Sequence, residues 1–370
     1  MAMQYVDEKI EEWPVRFYRI PQEPFTLEGL PLKDQMTDGI PFLRFPEELR
    51  ARVVAQYDNP YFSMHVRHTA GAAVRFRAKP EYVFLRATLR DAHDSNNMCR
   101  MGSRGFDLYC RDGEEWHLVS AVSTGLEDPK PEGTPPTCLQ NLYGDWEPWR
   151  DVERDFILNL PLYSGVEKLE LGFNPSCVIS APTPHRIDKP VCFYGSSITQ
   201  GGCASHPGNA YTSLLCREVD AEQVNFGNSG GCRGEDAMAE LMASMDFSCL
   251  VLDYDHNAPE AEHLRKTHEK MFRRIREAHP QLPVILISKP NFRSRCVEER
   301  NELRRQIIRD TYDHAVAAGD RKVWFIDGDT LFDGPDREMC TVDGCHPNDL
   351  GFQRMFRTIL PVLQEALASR

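Results

Sequence analysis

The sequence predicts two folds in one chain: an all-β sandwich of jelly-roll type over residues 1–188, and a three-layer α/β/α domain with a five-stranded parallel sheet over residues 189–370. Three observations carry this. Up to about Lys189 the apolar segments are short and closely spaced, with turn signals between them and almost no helical periodicity. Beyond it, short apolar runs alternate with longer amphipathic stretches, which implies parallel strands, right-handed crossovers and helices on both faces of the sheet. The stretch between Pro175 and Pro190 also contains Pro182 and Pro184, which marks a boundary.

Composition narrows the function classes. A chain of 370 residues is long for one core, and 41% hydrophobic with 27% charged residues describes an ordinary globular protein. The net charge of −13 argues against nucleic acid or an anionic membrane as partner. Met1 to Trp13 carries Asp7, Glu8, Glu11 and Glu12 without an apolar run, so no signal peptide is expected. Nor does any apolar run approach the ~20 residues of a membrane span. The twelve cysteines include no CxxC pair, and Cys192, Cys216 and Cys249 fall on predicted buried faces. Free thiols in a reducing, cytoplasmic setting are expected, with neither a disulfide framework nor a metal site.

In the first half, Ala73–Arg77 alternates as a half-buried strand, and Tyr82–Leu89 follows Pro80. Phe106–Cys110 leads into Asp112-Gly113, a hairpin signal, with Trp116–Val119 as the return. Phe156–Leu160 and Val166–Phe173 complete the set, and Gly125 to Asp145 reads as a long exposed loop. Tyr57, Tyr61 and Trp116 read as packing residues of this domain. In the second half the strands are Val191–Tyr194, Gln223–Phe226, Cys249–Leu252, Val284–Ile287 and Val323–Ile326. Leu264, Met271, Phe272 and Ile275 share one helical face, and Leu303, Ile307, Thr311 and Ala315 another, with Gly319 at a helix C-cap. A final apolar stripe runs from Phe352 to Leu367.

Ligands bind at the carboxyl ends of strands in such sheets. Gly195-Ser196-Ser197 follows the first strand, Asn225 to Gly231 the second, Asp253 to Asn257 the third, and Asp343 to His346 precedes the last helix. Each has a bland alternative. Ser197 could be a helix N-cap, His346 and Asp343 a helix start, Asn257 a turn residue, and Gly230-Gly231 a flexible loop. His256 reads as rim-lining or structural, His263 and His268 as solvated, and Cys203 and Cys232 as pocket-lining.

Taken together, Gly195-Ser196-Ser197-Ile198-Thr199, the Gly-x-Ser-Gly run at Gly227–Gly230, Asn257 and Asp343-x-x-His346 resemble the four blocks of the SGNH (GDSL-type) hydrolase superfamily, in order, across residues 190–370. The β-rich half resembles the jelly-roll domain of carbohydrate-esterase-like members. Ser196 replaces the family's usual aspartate, and Ala258 replaces the aspartate after Asn257. The resemblance implies a flavodoxin-like α/β/α domain. It casts Ser197 as nucleophile, His346 as general base and acid, and Asp343 as its orienter, with Ser197, Gly230 and Asn257 forming the oxyanion hole. It further implies hydrolysis of short acyl esters, most naturally acetyl on carbohydrate, with no cofactor. An acyltransferase using the same triad, and a carbohydrate-binding protein with a vestigial hydrolase domain, are the alternatives. A homo-oligomer is compatible with the sequence.

Overall fold

The computed structural model describes residues 3–32, 34, 42–91, 93–123, 137–143, 152–290 and 298–370. Strands β1 (Tyr5–Ile10), β2 (Trp13–Ile20) and β3 (Thr26–Glu28) precede helices α1 (Glu47–Tyr57) and α2 (Pro60–His65). Then come β4 (Ala73–Ala78), β5 (Val83–Leu89), α3 (Arg100–Arg104), β6 (Gly105–Asp112), β7 (Glu115–Ser123), β8 (Thr137–Tyr143), β9 (Arg154–Asn159), β10 (Val166–Phe173) and β11 (Ile179–Ser180). The second half runs β12 (Ile187–Gly195), α4 (Ser197–Gln200), α5 (Tyr211–Val219), β13 (Ala221–Asn225), α6 (Asp236–Ala243), β14 (Cys249–Asp253) and α7 (Ala261–Ala278). It ends with β15 (Val284–Ile287), α8 (Glu298–Ala317), β16 (Val323–Ile326) and α9 (Asp349–Ala368).

Two compact units emerge: residues 1–44, 67–184 and 206–208 in one, and 45–66, 185–205 and 209–370 in the other. The first contains two antiparallel sheets, ordered β1-β2-β10-β5-β8 and β11-β4-β9-β6-β7, with β3 paired to β4. Both contribute to one core. Leu85, Leu169, Leu171 and Phe173 from one sheet join Val74, Phe76, Phe156 and Leu108 from the other. Phe76 and Phe156 are cross-strand partners whose rings stack with centroids 5.1 Å apart. This is the sandwich expected from the alternation, with Gly113 at φ 61° closing the β6–β7 hairpin.

The expected loop from Gly125 to Asp145 needs correction. Thr137–Tyr143 forms β8 along β5, burying Cys138 and Leu142; the rest of that loop lies outside the described residues. The stretch read as lacking helices contains α1 and α2, and both belong to the second unit.

In the second unit, β13-β12-β14-β15-β16 form a wholly parallel sheet. In chain order this is 2-1-3-4-5, the flavodoxin-like arrangement whose order reverses at the first strand. Alternation along the strands feeds both faces. Cys192, Tyr194, Leu250 and Leu252 pack with residues of α6, α7 and α8, while Phe193 meets Tyr211 of α5 edge-on at 5.9 Å. On that side Tyr211 also stacks on Phe352 of α9. Cys192, Cys216 and Cys249 are buried as expected.

Leu303 departs from its predicted face and is 45% exposed, whereas Ile307, Ile308, Thr311 and Ala315 are buried. A four-residue spacing drifts by about 40° per step on a helix, enough to carry one end of the series out of the core. His268 is buried rather than solvated. Its Nδ1 lies 2.9 Å from Thr311 Oγ1, and burial lowers its pKa to about 4. Among the described residues no helix is long and apolar enough to cross a membrane.

Candidate active site

The turn after β12 shows why small residues stand there. A side chain at Gly195 would meet Thr199 Oγ1 at 2.0 Å and the Asp253 carbonyl at 2.6 Å, so only glycine fits. Ser196 is the N-cap of α4: its Oγ accepts the Ile198 N–H at 3.2 Å, and its own N–H donates to the Asp253 carbonyl at 3.2 Å. Ser196 thereby takes the capping role, which leaves Ser197 as the first helical residue, 8% exposed.

Ser196 stands where the sequence block it resembles carries aspartate, and other residues hold the turn. Asp253 Oδ2 accepts from Thr199 Oγ1 and from Tyr211 Oη, both at 3.1 Å. Asn225 Nδ2 donates to the Thr199 carbonyl at 2.7 Å, and its Oδ1 accepts the Gly227 N–H at 2.7 Å. Burial pushes the Asp253 carboxyl up to about 7, against which its two hydroxyl donors pull down.

His346 comes from a short loop before α9. That loop is pinned by a bridge between Thr341 and Pro347 and by the Val342 N–H on the His346 carbonyl at 3.0 Å. Asp343 Oδ1 accepts the Cys345 and His346 backbone N–H groups at 2.9 and 2.8 Å, and Oδ2 lies 2.8 Å from His346 Nδ1. The tautomer that donates Nδ1–H to Asp343 leaves Nε2 as acceptor, 2.9 Å from Ser197 Oγ. The N-cap of α9 is Asn348, which accepts the Gly351 N–H at 3.1 Å, so neither Asp343 nor His346 serves that end.

The loop after β13 brings the remaining predicted residues together. Gly230 has φ 64° and donates its N–H to Asn257 Oδ1 at 3.1 Å, while Asn257 Nδ2 donates to the Asn228 carbonyl at 2.9 Å. Gly230 and Asn257 are thus a bonded pair, with a second hydrogen remaining on Asn257 Nδ2. Gln200, one turn after Ser197, accepts the Ser229 N–H at 2.9 Å and ties this loop to the nucleophile's helix.

Other candidates resolve differently. His256 is partly buried, its Nδ1 3.7 Å from Cys345 Sγ beside His346. His263 is part-buried, with Nε2 2.7 Å from the Arg233 carbonyl. Cys203 is buried, and Cys232 belongs to the hydrophobic core, its thiol directed at the Phe226 carbonyl, rather than to a pocket. Tyr61 is 50% exposed and lies over Gly230, not in a β-sandwich core. Asn59 was not among the predicted site residues, yet it binds the Gly230 and Gly231 carbonyls. Asn59-Pro60 is an N-cap followed by proline at the first helical position, a legible helix start.

Residues 188–364 match the model of the GDSL-like lipase/acylhydrolase family, and residues 15–179 match that of the N-terminus of SGNH-hydrolase-type esterases. Among solved structures, a protein assigned as a GDSL-like lipase from Bacteroides ovatus is 25% identical, with a TM-score of 0.80 over 96% of this chain and 98% of that one. The salicylyl-acyltransferase SsfX3 from a tetracycline biosynthetic pathway is 16% identical, with a TM-score of 0.73 over 96% and 99%. A family two carbohydrate esterase from Cellvibrio japonicus is 10% identical, with a TM-score of 0.58 over 96% and 98%. No curated protein sequence matches the chain.

Proposed function

We propose, from the premise that the chain belongs to the SGNH (GDSL-type) hydrolase superfamily, that it is a serine esterase releasing short acyl groups, acetyl foremost, from carbohydrate hydroxyls. The observation that carries this reading is the unbroken relay from Asp343 through His346 to Ser197, with links of 2.8 and 2.9 Å. A serine hydroxyl is a weak nucleophile alone and needs such a base.

In the first step Ser197 Oγ attacks the ester carbonyl carbon while His346 Nε2 takes its proton, and Asp343 stabilises the imidazolium. The carbonyl oxygen becomes an oxyanion, met by the backbone N–H of Ser197, the second Nδ2 hydrogen of Asn257, and the Gly230 N–H, shared with Asn257 Oδ1. Collapse breaks the ester bond, and His346 returns the proton to the departing alcohol. Water, deprotonated by His346, then attacks the acyl–Ser197 carbonyl, and the acid leaves as the serine is restored. No step calls for a metal or organic cofactor.

Catalysis is assigned to residues 189–370 with the helical segment 45–66, and the β-sandwich is assigned an accessory role. A reducing cytoplasmic setting suits cysteines such as Cys192, Cys216 and Cys249, which are buried as small apolar side chains. Ser197→Ala tests the assignment: hydrolysis of p-nitrophenyl acetate and of acetylated sugars should fall to background with the thermal midpoint nearly unchanged. Retained turnover would refute it. Adding sugar or polyol acceptors and analysing products separates hydrolysis from acyl transfer, the competing fate of the same acyl-enzyme.

A further inference from the structure

Segment 45–66 lies in sequence within the β-rich half, yet its helices α1 and α2 group with the α/β unit. Leu49, Val53, Phe62 and Val66 enter that unit's core, and Phe45 packs its ring between Phe62 at 5.2 Å and Phe226 at 5.3 Å. Phe226 opens the loop that carries Gly230. The apolar contact therefore anchors α2 against the candidate oxyanion loop.

Two polar rungs join the same pieces. Asn59 is fully buried, and its Nδ2 donates to both the Gly231 carbonyl at 2.7 Å and the Gly230 carbonyl at 3.1 Å, while its Oδ1 caps α2 by accepting the Tyr61 N–H. From the other side, buried Asn228 donates Nδ2 to the Phe62 carbonyl at 3.2 Å. Gly230 has the freest backbone of any residue type and sits at φ 64°, so nothing of its own side chain restrains where its N–H points. Fixing the two carbonyls that follow that N–H restrains the rotation about Gly230 Cα. Arg233 Nε also donates to the Gly230 carbonyl at 3.1 Å, so removal of the Asn59 amide falls most heavily on Gly231.

We propose that Asn59 is a positioning residue that clamps the 226–232 loop and sets the aim of the Gly230–Asn257 pair at the reacting carbonyl. This rests on reading that pair as oxyanion donors. The clamp acts where charge develops, so its loss appears in kcat rather than in KM.

Asn59→Ser and Asn59→Asp test it in the full-length protein. Both can still cap α2, but neither can donate to the two carbonyls as the amide does. Both variants should lower kcat on p-nitrophenyl acetate by about tenfold or more, given that small misplacements cost up to ~10²-fold. KM should stay within about twofold, with the limbs of the kcat–pH profile unmoved. Amide hydrogen exchange over residues 226–232 should accelerate in both. Wild-type kcat in Asn59→Asp would reduce the residue to a helix cap and overturn the proposal. Unchanged exchange in the loop would overturn it whatever reaction the site performs. If the wild type showed no Ser197-dependent hydrolysis, the esterase reading would fall, while faster loop exchange in the variants would still uphold the clamp.

Discussion

Replacing Asp343 with Asn exposes the logic of the relay, because the substitution keeps size and shape while reversing one hydrogen bond. Asp343 Oδ1 holds the Cys345 and His346 backbone N–H groups. An asparagine oxygen would keep both, which places its NH2 against His346 Nδ1. Two donors cannot share that contact, so the ring shifts to the tautomer protonated on Nε2. The Nε2–H then faces Ser197 Oγ at the position where a base is needed, and the hydroxyl proton has no acceptor. In a well-buried triad the corresponding change costs ~10⁴ in kcat. Here the side chains of Asp343 and His346 are 32% and 22% exposed, so water competes for the same bonds and a loss of about 10²–10⁴ is expected. The assay is kcat on p-nitrophenyl acetate with the thermal midpoint measured alongside. Activity within about tenfold of wild type at an unchanged midpoint would refute the relay.

Two further outcomes follow from the loops below and beside the nucleophile. Gly230→Ala forces an L side chain to φ 64° and sets a Cβ 3.2 Å from Tyr61 Cβ and Cγ, so a stability loss of about 1–2 kcal/mol and a sharp fall in kcat are expected; a midpoint and turnover like wild type would show that the loop tolerates both. Asp253 is pushed up to about 7 in the folded protein, chiefly by burial, above its unfolded value of 3.8. The native state therefore holds a proton that the unfolded chain releases between those values. Stability from this group is present below about pH 4 and lost as pH rises through about 7, at up to about 1.4 kcal/mol per pH unit. Asp253→Asn should flatten that decline, with a midpoint above wild type at pH 8.5 and a gap that closes towards pH 5. Parallel curves would contradict a buried charge there, although Glu235, also pushed to about 7 by burial, adds a decline of the same sign to both proteins.

How much was legible in the sequence depended on how local the cause was. Val284–Ile287 and Val323–Ile326 match their strands end for end, because a strand buried among parallel neighbours is a plain apolar run between turn residues. Ser197, Gly230, Asn257, Asp343 and His346 stand out in the sequence as candidates because each lies just beyond a strand end or before the last helix, where residue type and chain order carry the signal. What was missed depends on distant partners. Helix α1 buries only Leu49 and Val53, too few to show a helical period. Asn59 takes its meaning from carbonyls about 170 residues away. Strand β8 lies within a stretch that reads as loop, and its pairing with β5 outweighs that local preference. His268 sits on a strongly charged helix, and only the packing of α7 on α8 hides it beside Thr311.

Labelling with a fluorophosphonate, followed by peptide mass spectrometry, tests the central claim most directly, since only a serine activated by a neighbouring base reacts quickly. A single adduct on Ser197, formed in parallel with loss of esterase activity and abolished in Ser197→Ala and His346→Ala, is the predicted result. Complete inhibition with the adduct on another residue, or undiminished activity with Ser197 fully labelled, would contradict the account.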